Sequence, residues 1–154
     1  MTHHYPKPGD KAPDFELPAA GDTKIRLSDY LHRKNVILSF HPLAFTGVCS
    51  AQMQDLQAES GTLNGKETVA LGISVDSVPA KKAWADSLGV TDVLFLSDFE
   101  PKGRVARLYR VYREKEGFSE RAVFIIDKEG IVRFSRLYPI KERPDIREII
   151  TAIP

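Results

Sequence analysis

Apolar and polar positions follow two rhythms along this chain. Four short runs, VILSF at 36–40, VALGISV at 69–75, VLFL at 93–96 and AVFII at 122–126, carry almost no polar interruption. Unbroken β-branched and aromatic runs of this length predict central strands buried on both faces. Between them the period lengthens. From about 103 to 113, Val105, Leu108, Tyr109 and Tyr112 fall at i, i+3, i+4 and i+7, leaving Arg104, Arg107, Arg110 and Arg113 for the outer surface. That spacing predicts a helix with one buried stripe. Ile146, Ile149, Ile150 and Ile153 repeat it after Pro144, a residue suited to a first helical turn, so the tail is expected to dock as a terminal helix. Trp84, with Leu88 one turn on, reads as core or interface packing.

The stretch AVFIID, then Lys128, Glu129 and Gly130, then IVRFSRL predicts a β-hairpin whose turn uses the positive φ open to Gly130. Strands joined through helices and then a hairpin imply a mixed sheet, flanked by helices on both faces, with right-handed crossovers. This α/β order is consistent with a thioredoxin-like fold carrying an N-terminal β-hairpin extension; the pattern alone leaves other three-layer α/β folds open. No repeat or linker divides the chain. Its 154 residues, 42% of them hydrophobic, suit one domain over 1–154.

Charge narrows the partners. With 22 Lys and Arg against 21 Asp and Glu, the net charge of +1 builds in no attraction to nucleic acid or to an anionic membrane. The longest apolar runs are far shorter than a membrane span, and the opening MTHHYPKPGDKAPDFEL lacks a signal-peptide core, so a cytoplasmic protein is expected. His3, His4 and His32 have no metal-ligand spacing with a cysteine or carboxylate, and neither a metal nor another cofactor is assigned.

The chemistry centres on Cys49, the single cysteine, which excludes a disulfide within the chain. A lone cysteine is usually a small buried hydrophobe, so its surroundings must decide. In SFHPLAFTGVCSAQMQDL, at 39–56, a strand ends at Phe40, His41 and Pro42 break it, and a helical pattern begins near Gly47, with Cys49, Met53 and Leu56 at i, i+4 and i+7. Cys49 is thus expected in a first helical turn. A free thiol has a pKa of about 8.5, yet the thiolate is the nucleophile. Helix N-terminal amides supply ~0.3–1 kcal/mol, at best ~2, against roughly 1.4 kcal/mol for one pKa unit. A cation or further donors are therefore required. Thr46 can turn its hydroxyl toward the sulfur or a molecule bound beside it, and Pro42 can shield the sulfur without adding an amide.

Pro42, Thr46 and Cys49 reproduce the P-x-x-x-T-x-x-C motif of the peroxiredoxins, and the chain resembles that family well beyond it. DKAPDFELPAAGDTKIRLSDYLHRKNVILSFHP looks like the family's opening, an extended hairpin before a short helix and the catalytic strand. GISVDSVPAKKAWADSLGVTDVLFLSDFEPKGRVARLYRVY resembles its middle and RAVFIIDKEGIVRF its closing hairpin, so the likeness covers roughly residues 9–138. It implies that Arg121, opening the strand before the hairpin, is the required cation. His41 stands where an aromatic is usual, and reads either as a substituted wall residue or as a titratable neighbour of the thiolate. Gln52, where Glu or Gln is common, is expected around Arg121 or as a cap on the pocket. The length suits the small bacterial-type one-cysteine subgroups.

The resemblance implies a thiol-dependent peroxidase. The Cys49 thiolate would attack a hydroperoxide held by Arg121, Thr46 and the amides near Val48 and Cys49, becoming a sulfenic acid that an external thiol recycles. That reductant is a low-molecular-weight thiol, a thioredoxin-like or glutaredoxin-like protein, or a second Cys49. A homodimer is implied as well. Three rivals exist. A thiol–disulfide oxidoreductase is disfavoured by the absence of C-x-x-C; a peroxide sensor shares the first step; a cysteine hydrolase with His41 as base lacks any hydrolase motif.

Overall fold

The computed structural model describes residues 4–154. An antiparallel hairpin opens the fold, with β1 (Glu16–Ala19) paired to β2 (Thr23–Arg26), followed by a single 3-10 turn at Leu27–Tyr30. Then come β3 (Asn35–Phe40), α1 (Gly47–Ala58), α2 (Ser60–Gly65), β4 (Thr68–Ser74), α3 (Val78–Leu88) and β5 (Leu94–Ser97). After the short α4 (Arg104–Leu108) and a small ribbon of β6 (Tyr112–Arg113) with β7 (Phe118–Ser119), the hairpin β8 (Arg121–Ile126) and β9 (Val132–Tyr138) leads to α5 (Ile146–Ala152). The main sheet has seven strands in the order β2-β1-β5-β4-β3-β8-β9. Its β5–β4 and β4–β3 pairs are parallel and the remainder antiparallel. The mixed sheet, the N-terminal hairpin that extends it and the closing hairpin turn at Gly130 (φ 80) match the sequence reading.

Side-chain alternation along the central strands separates two cores. Val36, Leu38 and Phe40 of β3, Leu71 and Ile73 of β4, and Phe124 and Ile126 of β8 pack on one face with Phe15, Leu27, Val105 and Tyr109. Ile37, Ala70, Val123 and Ile125 face the other way, against Met53 and Leu56 of α1, Trp84 of α3 and Ile149 of α5. The helices are shared unequally: α1, α3 and α5 cover this second face, whereas α4, the 3-10 turn and the extended N-terminal chain cover the first. The same parity assigns Ser39 and His41, Gly72 and Ser74, and Arg121 to the face beneath α1 and α3. Polar residues at the C-terminal ends of β3 and β4 therefore open toward one another.

Two expectations require correction. The helix expected over 103–113 stops at Leu108. Arg110 takes a left-handed backbone (φ 60), and Tyr112 enters the β6 strand. Of that stripe only Val105 and Tyr109 are buried, Tyr112 is half-buried and Leu108 is 42% exposed. The buried Asp98 carboxylate starts α4 by accepting from the Val105 and Ala106 amides at 3.0 and 2.9 Å, so a side chain six residues before Arg104 sets where the helix begins. The terminal helix forms, but Asp145, not Pro144, adjoins it, its carboxylate capping the Arg147 amide at 3.0 Å.

Candidate active site

The turn after β3 aims Cys49 into the second core. The His41 amide continues the β3–β4 pairing by donating to the Ile73 carbonyl at 3.0 Å, Pro42 is buried, and the chain then swings outward through Phe45, held in a left-handed conformation (φ 64) and 59% exposed. Asp76 ties this loop down, accepting from the Ala44 amide at 2.8 Å and from the Ser74 hydroxyl at 2.6 Å. The first backbone bond of α1 runs from the Ser50 amide to the Thr46 carbonyl at 2.9 Å. The amides of Gly47, Val48 and Cys49 precede it and have no acceptor within the helix. With Cys49 on the inner face, Gln52, Met53 and Leu56 follow it into the core.

Arg121 completes the site from β8. Its neighbour Ala122 pairs with Phe40, so the side chain emerges beside the end of β3, and only 2% of the residue is exposed. The guanidinium is gripped on two edges. Nε and Nη2 donate to the Ile140 carbonyl at 3.0 and 2.8 Å, while Nη1 donates to Gln52 Oε1 at 2.6 Å and to Cys49 Sγ at 3.3 Å. Gln52 in turn donates through Nε2 to the Ser39 hydroxyl. The other two acceptors bonded to this buried cation, the Ile140 carbonyl and Gln52 Oε1, are uncharged. A buried charge without a counter-ion is costly, and ionised Cys49 would supply that counter-ion. Cys49 itself is fully buried.

Each candidate residue has a definite place. Cys49, Arg121 and Gln52 form one hydrogen-bonded cluster, Pro42 lies in the loop that covers it, and Val48 supplies a first-turn backbone amide. Thr46 departs from the expected contact. Its hydroxyl donates to the Leu43 carbonyl at 2.8 Å and points its hydrogen away from the sulfur; only its lone pairs remain available to an incoming group. His41 is fully buried, its ring 5.2 Å from that of Trp84. The Trp84 indole donates to the Ser50 hydroxyl at 3.0 Å, which makes the tryptophan a wall of the site as well as core. The arginine row faces outward: Arg107 pairs with Glu114 at 2.8 Å and Arg113 with Glu120 at 3.1 Å. His3 lies outside the described residues, among which no cluster of His, Cys, Asp or Glu could hold a metal.

Sequence reasoning missed Lys81. It is 1% exposed and donates to the Ser74 hydroxyl at 2.8 Å, the Gly72 carbonyl at 3.2 Å and His41 Nε2 at 3.2 Å. The signal was present in KKAW. Lys81 stands three residues before the buried Trp84, on the inner stripe of α3, whereas Lys82 is exposed and pairs with Asp86 at 2.9 Å. The Ile140 carbonyl left no such signal, because any residue offers one.

A sulfur in the first turn of a helix, within hydrogen-bond reach of a buried arginine at the start of a central strand of a thioredoxin-like sheet, is the arrangement a thiol peroxidase requires, and the single cysteine makes it a one-cysteine one. Residues 8–135 match the AhpC/TSA family, and the chain belongs to it. It is 38% identical over 140 residues to alkyl hydroperoxide reductase E of Mycobacterium tuberculosis, which covers 91% of this chain and 89% of the relative. Peroxiredoxin 2 of Sulfurisphaera tokodaii is 33% identical over 150 residues, 94% of this chain and 70% of the relative. The crystal structure of Enterococcus faecalis AhpC superposes with a TM-score of 0.85 at 28% identity, over 95% of this chain and 89% of that one. The protein is a thiol-dependent peroxidase with one cysteine. Among the described residues no helix is long and apolar enough to cross a membrane.

Proposed function

We propose that the protein reduces hydrogen peroxide and organic hydroperoxides through a Cys49 thiolate and a sulfenic acid intermediate. The observation that carries this reading is the Arg121 Nη1 contact to Cys49 Sγ at 3.3 Å, shared with Gln52 Oε1 at 2.6 Å. It holds a guanidinium edge where a peroxide lying against the sulfur would meet it. The thiolate attacks the terminal oxygen of R–O–OH; the S–O bond forms as the O–O bond breaks, and the electron pair leaves on the alkoxide, which takes a proton from solvent. Arg121 and the amides of Val48 and Cys49 then bond more strongly to an oxygen gaining charge than to the ground-state peroxide, which is the differential stabilisation that lowers a barrier. Thr46 Oγ1, its hydrogen committed to Leu43, accepts the hydrogen of the peroxide hydroxyl and orients it. Pro42 excludes a competing amide, and His41 serves as a buried wall.

Recycling falls to an external thiol, from a thioredoxin-like or glutaredoxin-like protein or a small molecule, since the sequence holds no second cysteine. The complete burial of Cys49 means that this thiol reaches the sulfur only after the first turn of α1 or the 42–46 loop moves. A homodimer would cover the exposed Leu43 and Phe45 beside the site. Rapid mixing of the reduced protein with several peroxides, followed by re-reduction with a panel of thiols, tests the assignment. Fast oxidation and full recovery are expected. Oxidation without turnover under every reductant would favour a peroxide sensor, and no oxidation would end the proposal.

A further inference from the structure

Behind the cysteine lies a second polar cluster that peroxide reduction as described above does not use. Lys81 of α3 and His41 at the end of β3 are both buried, and they touch at 3.2 Å between Nζ and Nε2. The contact fixes the protonation of the ring. His41 Nδ1 lies 3.2 Å from the Ser39 carbonyl, which can only accept, so Nδ1 carries the hydrogen and Nε2 offers its lone pair to Lys81. The three donors of the ammonium are then met by Gly72, Ser74 and His41, all uncharged. Ser39 joins this cluster to the catalytic one: its carbonyl receives His41, and its hydroxyl receives Gln52, which holds Arg121 against Cys49.

The charges facing Lys81 come from four elements. His41 arrives from β3, Cys49 from α1, Asp98 from the turn after β5, and Asp76 through Ser74 from the turn after β4; Arg121 of β8 acts on His41. The Phe95 ring of β5 lies 5.4 Å from the ammonium. Both aspartates are already engaged, Asp76 with the 42–46 loop and Asp98 with the start of α4. Neither carboxylate bonds to the ammonium directly, so both act on Lys81 through their field, and Cys49 acts on it in the same sense.

We propose that Lys81 is a positioning residue of the peroxidase site, a second buried cation which acts through His41 and through its own field to hold Cys49 ionised and coupled to its charge. This rests on the reading of Cys49 as the peroxidatic thiolate. Burial pushes the Lys81 ammonium down to about 7, opposed by Asp76, Cys49 and Asp98, while burial and the Lys81 charge together hold the His41 imidazole well below its ordinary range. The lysine can therefore gain or lose its proton near neutrality, and His41 stays neutral as its acceptor.

The test reads ionisation rather than turnover. Alkylation of the reduced full-length protein by iodoacetamide, a neutral reagent, is followed against pH for wild type and Lys81→Met. The wild-type profile should carry a second inflection near neutrality, where Lys81 titrates. In Lys81→Met that inflection should vanish and the remaining midpoint should rise by about one pH unit, with near-ultraviolet circular dichroism unchanged. A folded variant whose profile superimposes on wild type overturns the proposal. If Lys81→Met does not fold, wild type alone decides, because coupling is reciprocal. With carbon-13 at Cε of lysine, Lys81 should titrate at lower pH once Cys49 is capped as its neutral methyl disulfide than in the reduced protein; an unmoved titration overturns the proposal. Peroxide oxidation is measured separately, so coupling found in a protein that peroxide fails to oxidise sinks the peroxidase reading and leaves the coupling standing.

Discussion

Replacing Arg121 with methionine keeps the unbranched stem of the side chain and removes its charge and its fork. Four hydrogen bonds disappear: two to the Ile140 carbonyl, one to Gln52 Oε1 and the 3.3 Å contact to Cys49 Sγ. Only the last bears on the reacting atom. A hydrogen bond to a charged group contributes about 1.5–3 kcal/mol, and each ~1.4 kcal/mol off a barrier is tenfold in rate. Oxidation by peroxide should thus slow by roughly 10- to 150-fold. Trp84, the single tryptophan, provides the assay, since its indole donates to Ser50 next to Cys49 and its fluorescence should report oxidation in a stopped-flow mixer. Arg121→Lys separates charge from geometry. A lysine keeps the positive charge but cannot grip Ile140 and reach both Gln52 and the sulfur, so its rate should fall between those of wild type and Arg121→Met. Wild-type oxidation in a folded Arg121→Met protein would refute the role given to the guanidinium.

Cys49→Ser should fold normally and consume no peroxide; residual activity in that variant would move the chemistry elsewhere. Excess peroxide should drive wild type past one oxygen on Cys49 to two, visible by intact mass, because no second thiol in the chain traps the sulfenic acid. Lys81 also makes a prediction for stability. Its folded pKa of about 7 lies below the ~10.4 of an unfolded lysine, so below 7 both states carry the charge and the cost of burying it is greatest. Between 7 and ~10.4 the folded state releases the proton first and the cost is relieved with rising pH. Urea denaturation should therefore favour Lys81→Met over wild type more at pH 6 than at pH 9, by roughly 2–3 kcal/mol, and an equal difference at both would contradict the titration. Gly72→Ala should cost about 1–3 kcal/mol by overpacking, since a Cβ there would lie 2.8 Å from Met53 Sδ; thermal melts measure it, and no loss would mean that Met53 simply turns away.

The elements whose identity depends on local periodicity were legible from the chain alone. Unbroken apolar runs marked β3, β4, β5 and β8, Gly130 marked the closing turn, and Cys49 was correctly placed in a first helical turn by Met53 and Leu56. Spacing alone did not carry the Arg121 assignment, because distance along a sequence says nothing about which strand end meets which helix; the family resemblance carried it, and the pairing of Ala122 with Phe40 explains it. Where the helical spacing failed, the turns on either side of the helix had overridden it. Asp98 set the start of α4 and the left-handed Arg110 closed off its C-terminal side, so the stripe of Val105, Leu108, Tyr109 and Tyr112 never completed a helix. The direction of the Thr46 hydroxyl, the Ile140 carbonyl under the guanidinium and the buried Lys81 were decided by the tertiary structure. A side chain's partners are chosen by what the sheet brings within 3 Å or so, and residues 40 positions apart, such as His41 and Lys81, meet only once β3 and β4 have paired and α3 has packed back across them.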